Sequence, residues 1–294
     1  MTTLSTRLND RLGHYIRLVR ADKPIGALLL LWPMLWALWF VSAGRPDGAV
    51  LVVFLIGTFL MRSAGCAIND YADREIDGSV KRTRTRPIVT GDVSPREALL
   101  VAAFLALLSF LLVLTMNNLT IMLSFVGAGL AAAYPFTKRI TYWPQLVLGL
   151  AFGWAVPMVC AAQTGHIGIT GWLIYLAAIL WAFAYDTIYA MVDRDDDLQL
   201  GVKSTAIRLG NYDVTAVAVA QALVLLIVLL VGMSLIPGVF FIIGLAAGAS
   251  IALWQLHLIR NREREKCFKA FLANNYMGAA IFAGIVCQYW FSRT

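Results

Sequence analysis

Apolar residues run through this chain in long blocks of about 20, each sufficient to cross a hydrocarbon core of about 30 Å as a helix. The blocks lie at 24–43, 49–69, 96–116, 119–137, 143–162, 170–190, 213–232, 236–257 and 270–291. Turn-forming residues punctuate them at Gly44-Arg45-Pro46, Asn117-Asn118, Gly165-His166 and Pro237-Gly238. The pattern predicts an all-α, polytopic integral membrane protein of nine transmembrane helices, occupying 23–294 as a single domain. The first 22 residues follow another rhythm. Leu4, Leu8, Leu12, Tyr15 and Val19 recur at helical spacing with Arg7, Arg11 and Arg17 between them, which predicts an amphipathic helix lying at the membrane surface over 1–22. The first long block exceeds a signal-peptide core and eight more follow it, so it is read as a retained helix.

Composition agrees: 60% of the 294 residues are hydrophobic and 14% are charged, against about 25% charged in an ordinary soluble domain. The net charge of +7 is spread over loops and forms no basic domain, so no nucleic-acid partner is expected. Cys66, Cys160, Cys267 and Cys287 are dispersed without a CxxC pair, which argues against a disulfide framework or a thiolate metal site. Of the 24 Lys and Arg residues, 21 fall at the N-terminus or after every second block; Arg45 and Arg293 lie on the other side and Arg62 within a block. By the positive-inside bias this places the N-terminus in the cytoplasm.

Two stretches then break the apolar pattern with carboxylates. Asn69 to Asp77 and Asp186 to Asp197 hold nine of the 17 acidic residues. If helical, Asp70, Asp73 and Asp77 share one face, and Asp186, Tyr189, Asp193 and Asp197 share another. Like charges at such spacing repel unless a cation lies between them, and oxygen ligands beside a phosphate-bearing substrate suit Mg2+. Glu75, Asp195 and Asp196 fall off these faces and are expected to be solvated. Both stretches follow even-numbered blocks four helices apart, which suggests a 4+4 parallel pseudo-repeat plus one helix around a central cavity. Arg62, Asn69 and Asp73 form a stripe along one helix, and an intramembrane arginine is expected to face a cavity or a partner. Basic residues follow each acidic stretch: Lys81, Arg82, Arg84 and Arg86 after the first, Lys203 after the second, with Lys138-Arg139 between them. They supply donors for an anion. Tyr185 and Tyr189 lie inside the second stretch, where aromatic faces can steady a nearby cation. His14, His166 and His257 are scattered and read as surface or interfacial residues.

Asn69-Asp70-x-x-Asp73-x-x-x-Asp77 and Tyr185-Asp186-x-x-Tyr189-x-x-x-Asp193-x-x-x-Asp197 resemble the two aspartate-rich motifs of the UbiA superfamily of intramembrane prenyltransferases. Asp22-Lys23-Pro24-Ile25-Gly26, Leu31-Trp32-Pro33, Lys81 to Pro87, Tyr134-Pro135 and Gly201-x-Lys203-Ser204-Thr205 resemble its bacterial 4-hydroxybenzoate octaprenyltransferase branch, in order along the whole chain. The resemblance implies a Mg2+-dependent transfer of a polyprenyl group from its diphosphate to the ring carbon ortho to the hydroxyl of 4-hydroxybenzoate. It also implies ubiquinone synthesis in the bacterial inner membrane, with the active site near the cytoplasmic face. It assigns the metal to Asp70, Asp73, Asp77, Asp186, Asp193 and Asp197, with Asp70, Asp73 and Asp193 catalytic. Substrate contacts fall to Arg62, Asn69, Arg82, Arg86, Lys138, Arg139, Tyr185, Tyr189 and Lys203, with Arg62 facing the benzoate carboxylate. Nothing in the sequence calls for an obligate protein partner. A prenyltransferase for another aromatic acceptor and a membrane transporter are the alternative readings; carboxylates gathered at one end of the helices disfavour the transporter.

Overall fold

The computed structural model describes residues 4–79 and 83–292, with side chains from residue 10 onward except that of Lys138. Thirteen α-helices make up the fold, with no strand among the described residues. They are α1 (Leu4–Leu18), α2 (Ile25–Val41), α3 (Gly48–Asp73), α4 (Pro95–Val113), α5 (Asn118–Ala133), α6 (Thr137–Ile140), α7 (Pro144–Gly153), α8 (Ala155–Thr164), α9 (Ile169–Leu200), α10 (Thr205–Leu209), α11 (Asp213–Leu235), α12 (Val239–Ile259) and α13 (Arg264–Phe291). Among the described residues, eight stretches are long and apolar enough to cross a membrane, and α2, with 17 residues, is a shorter apolar helix. All nine expected blocks therefore fall on helix, with α2 below spanning length by this measure.

Local chemistry explains the boundaries. Asp47 caps α3 by accepting from the Ala49 and Val50 amides at 2.7 and 3.2 Å. Ser94 and Glu97 form a reciprocal capping box at the start of α4, with Pro95 in the first turn. Gly165 and Gly201 end α8 and α9 in the left-handed region, at φ 77° and 68°. The expected span 143–162 is two helices, because Pro157 lacks an amide proton and its ring crowds the Gly153 carbonyl, so the axis breaks at Trp154.

The core sits where α2, α9 and α13 meet. Trp36 and Trp181 stack with centroids 5.2 Å apart. Trp36 Nε1 donates to the Gly278 carbonyl at 3.2 Å and Trp181 Nε1 to Asn274 Oδ1 at 3.0 Å. The two indoles therefore fill space and also satisfy their polar edges, which a dry interior requires. Near the acidic end α1 docks on α3 and α4: Leu18 is buried with Ala64, Ala67 and Val93, the Tyr15 hydroxyl donates to Glu97 at 3.0 Å, and His14 lies 3.2 Å from Asp92. Leu12 and Ile16 on the same helix stay exposed.

Candidate active site

A cavity of about 1350 Å³ opens between the helices, with both acidic stretches on its wall. Asp73 at the end of α3, Asp77 just beyond it, and Asp186, Asp193 and Asp197 of α9 all line it. Basic residues share the wall, and much of the rest is apolar, with Leu28, Phe54, Leu107, Phe110, Phe125 and Met158 among its residues.

The first stretch departs from the expected single helical face. α3 ends at Asp73, so Asp77 is carried by a separate 3₁₀ turn, Asp77–Ser79. Asp73 is buried and accepts from Asn69 Nδ2 at 3.2 Å. Asp70, expected among the ligands, is buried and absent from the cavity wall: Arg20 binds it at 2.7 Å and Arg86 at 3.1 Å. Residue 70 lies about 300° around the helix from residue 73, and that 60° offset turns its carboxylate toward the arginines. Arg86 also pairs with Asp77, whose main-chain carbonyl accepts from the Thr83 hydroxyl at 2.8 Å. Burial pushes the Asp77 carboxyl above the ordinary carboxylate range, and the Arg86 charge opposes that rise.

The second stretch keeps its expected face, because α9 continues unbroken for 32 residues. At 1.5 Å per residue that is about 48 Å, well beyond a hydrocarbon core of about 30 Å, so its acidic turns project past the apolar layer. Tyr189 lines the cavity against Phe271 at 4.7 Å, and Tyr185 is buried edge-on to Trp181 at 5.7 Å. Asp195 and Glu75 are exposed, as expected for solvated residues. Asp196, also expected to be solvated, is half-buried and binds Arg264 at 3.2 Å.

Arg62 lines the cavity with its guanidinium 5.5 Å from the Phe152 ring centroid. A Cβ on residue 26 would stand 2.6 Å from Arg62 Nε, so glycine at that position keeps room for the guanidinium. Lys203 lines the cavity while donating to the Ile140 carbonyl at 3.1 Å. Arg139 instead donates to the Ala72 carbonyl, capping the end of α3. Arg82 lies outside the described residues, as does the side chain of Lys138. Arg17, Arg20, Phe268 and Phe271 are among the cavity residues that the sequence reading does not place at the site. The only signal for Arg20 is its place beside Asp22-Lys23-Pro24.

Among the described residues, no three carboxylate, imidazole or thiol groups converge to hold a metal by themselves. Carboxylates of two separate stretches nonetheless line the one cavity. That fits Mg2+, which takes one or two carboxylates and completes its shell with water and substrate phosphate.

The chain is 56% identical over 275 residues to 4-hydroxybenzoate octaprenyltransferase of Aeromonas salmonicida (strain A449), covering 94% of this chain and 95% of the relative. It is 55% identical over 282 residues to the Methylococcus capsulatus enzyme of the same name, covering 96% and 97%. The fold is similar to the apo structure of a UbiA homolog from Aeropyrum pernix K1, with TM-score 0.77 and 25% identity over 88% of this chain and 97% of that one. It is also similar to a UbiA homolog from Archaeoglobus fulgidus bound to GPP and Mg2+, with TM-score 0.71 and 20% identity over 92% and 99%. Residues 30–279 match the UbiA prenyltransferase family, and with relatives this similar along nearly its whole length the chain belongs to that family.

Proposed function

We propose that this protein joins the prenyl group of a polyprenyl diphosphate to the ring carbon ortho to the hydroxyl of 4-hydroxybenzoate, releasing diphosphate, as a step of ubiquinone biosynthesis. The observation that carries the reading is one cavity lined by carboxylates of both acidic stretches, by basic residues and by a large apolar surface. The names of the relatives at 53–58% identity supply the acceptor. Asp73 and Asp77 would hold Mg2+ together with Asp186, Asp193 and Asp197 of α9. Asp70, engaged by Arg20 and Arg86, has a supporting place. Magnesium, when bound, neutralises the diphosphate and makes it a better leaving group. Arg86 and Lys203 would donate to phosphate oxygens, and Arg82 and Lys138 are assigned the same role. Arg139 serves as the cap that fixes the end of α3. The apolar part of the wall would shelter the allylic cation formed as the carbon–oxygen bond breaks, with Tyr189 lining the same space. The acceptor ring carbon forms the new carbon–carbon bond, and its proton is lost to restore aromaticity.

Membranes containing the protein, incubated with Mg2+, a polyprenyl diphosphate and a panel of aromatic acids, should yield the 3-polyprenyl-4-hydroxybenzoate mass. Exclusive product from another acid would reassign the acceptor, and ion flux without any product would favour a transporter. Arg62 is assigned to the acceptor carboxylate. A charge-assisted hydrogen bond of about 1.5–3 kcal/mol predicts that Arg62→Ala raises the aromatic-acid KM about 10- to 100-fold. A loss confined to diphosphate affinity would remove that role.

The proposal includes nine spans, a cytoplasmic N-terminus and the bacterial inner membrane. In a chain whose four cysteines are replaced, Glu75→Cys should react with a membrane-impermeant thiol reagent in inverted vesicles and Arg45→Cys should not. The opposite pattern reverses the topology.

A further inference from the structure

Asp213 is fully buried at the first residue of α11, outside the cavity wall. Two arginines from separate parts of the chain close on it. Arg262, in the turn between α12 and α13, donates through Nη2 at 2.6 Å and Nε at 3.0 Å, and Arg194 of α9 reaches it at 3.3 Å. Arg262 also donates to the Asn211 carbonyl at 3.0 Å, and its own backbone sits at φ 56°, a conformation unfavourable for a residue with a Cβ. A strained turn held by a buried ion pair is a place the fold fixes firmly.

Arg194 directly follows Asp193 and lies three residues before Asp197. Residues 186, 193 and 197 share about 40° of helical arc, whereas residue 194 is turned about 100° from residue 193. The last turns of α9 are thus divided by direction: Asp193 and Asp197 line the cavity, and Arg194 is held to Asp213. Those turns lie where α9 has outrun the hydrocarbon layer and lipid no longer supports it.

We infer that Arg194 and Asp213 are positioning residues, a clamp that fixes the azimuth of the end of α9 and so aims Asp193 and Asp197 into the cavity. The inference rests on the proposed metal and diphosphate site. Supporting groups behind metal-binding side chains typically change metal affinity about 10- to 100-fold when removed.

The test is Mn2+ binding, read from the EPR signal of free Mn2+ as purified protein in lipid nanodiscs is titrated, with thermal stability measured on the same samples. Arg194→Gln and Asp213→Asn should each weaken Mn2+ binding about tenfold. Arg194→Gln should retain its thermal midpoint, since Arg262 still satisfies Asp213, and Arg194→Lys should recover part of the affinity. Arg264→Gln, which removes only the more exposed contacts to Asp195 and Asp196, should bind Mn2+ as the parent does. Undiminished Mn2+ affinity in Arg194→Gln would overturn the clamp. So would an equal loss in Arg264→Gln, which would reduce the effect to surface charge. Should the parent itself bind no Mn2+, or Asp193→Asn bind it as well as the parent, the failure lies with the metal site and not with the clamp.

Discussion

Asp73→Asn and Asp193→Asn are each expected to lower magnesium-dependent product formation about a thousandfold, the upper range for losing one preorganised electrostatic group at a reacting centre. The side chains come from two separate stretches lining one cavity, so each variant removes one of the five carboxylates of those stretches that line it. Asparagine keeps the size of aspartate and its carbonyl oxygen, so packing is preserved while one negative charge is lost. Asp73 also accepts from Asn69 at 3.2 Å, a contact an amide oxygen can still receive. Both variants should therefore remain in the membrane with near-parental thermal midpoints. The check is initial rate against Mg2+ concentration beside a thermal-unfolding trace of the same preparation. Near-normal turnover in either would remove that carboxylate from the metal site.

Gly244→Leu is expected to give the largest loss of stability from a change far from the chemistry. A Cβ on residue 244 of α12 would fall 2.5 Å from Gly284 Cα and 2.8 Å from the Ala280 carbonyl oxygen of α13. These are backbone atoms, so no rotamer change relieves the overlap and the helices must separate. Helix pairs in lipid depend on close approach between small residues, because burial of apolar area adds little when the solvent is itself apolar. Overpacking of about 3 kcal/mol corresponds to a fall of about 6–12 °C in thermal midpoint for a chain of this order of size. Gly129→Ala is the matched control: nothing lies within 4 Å of a Cβ there, and the thermal midpoint should hold or rise slightly. Equal behaviour of the two variants would show that the α12–α13 contact is looser than described.

The sequence disclosed what is periodic within one helix. Asp186, Asp193 and Asp197 share a face because α9 runs uninterrupted through all three. Asp70, Asp73 and Asp77 carry the same spacing, but the backbone leaves the helix at Asp73 and the shared face ends there. The apolar block ends near 190, yet α9 continues to Leu200, because its polar turns are helical as well, as the shared face of Asp186, Asp193 and Asp197 requires. What a one-dimensional pattern does not show is which segments abut. Arg20 reaches Asp70 across 50 residues, and Phe268 and Phe271 enter the cavity wall from α13. Asp213 resembles an ordinary acidic residue in a first helical turn until Arg194 and Arg262 are seen around it. Arg139 differs in kind: its charge was read as a ligand for phosphate, while the geometry uses it to finish α3.

The presence of both charged and apolar side chains on the cavity wall also bears on how a turnover would finish. On the proposed reaction the two products prefer different phases: diphosphate dissolves in water, whereas the prenylated ring remains soluble in lipid. Separation of the products then becomes a matter of partitioning, and their spatial divergence makes recombination at the same centre a rare event.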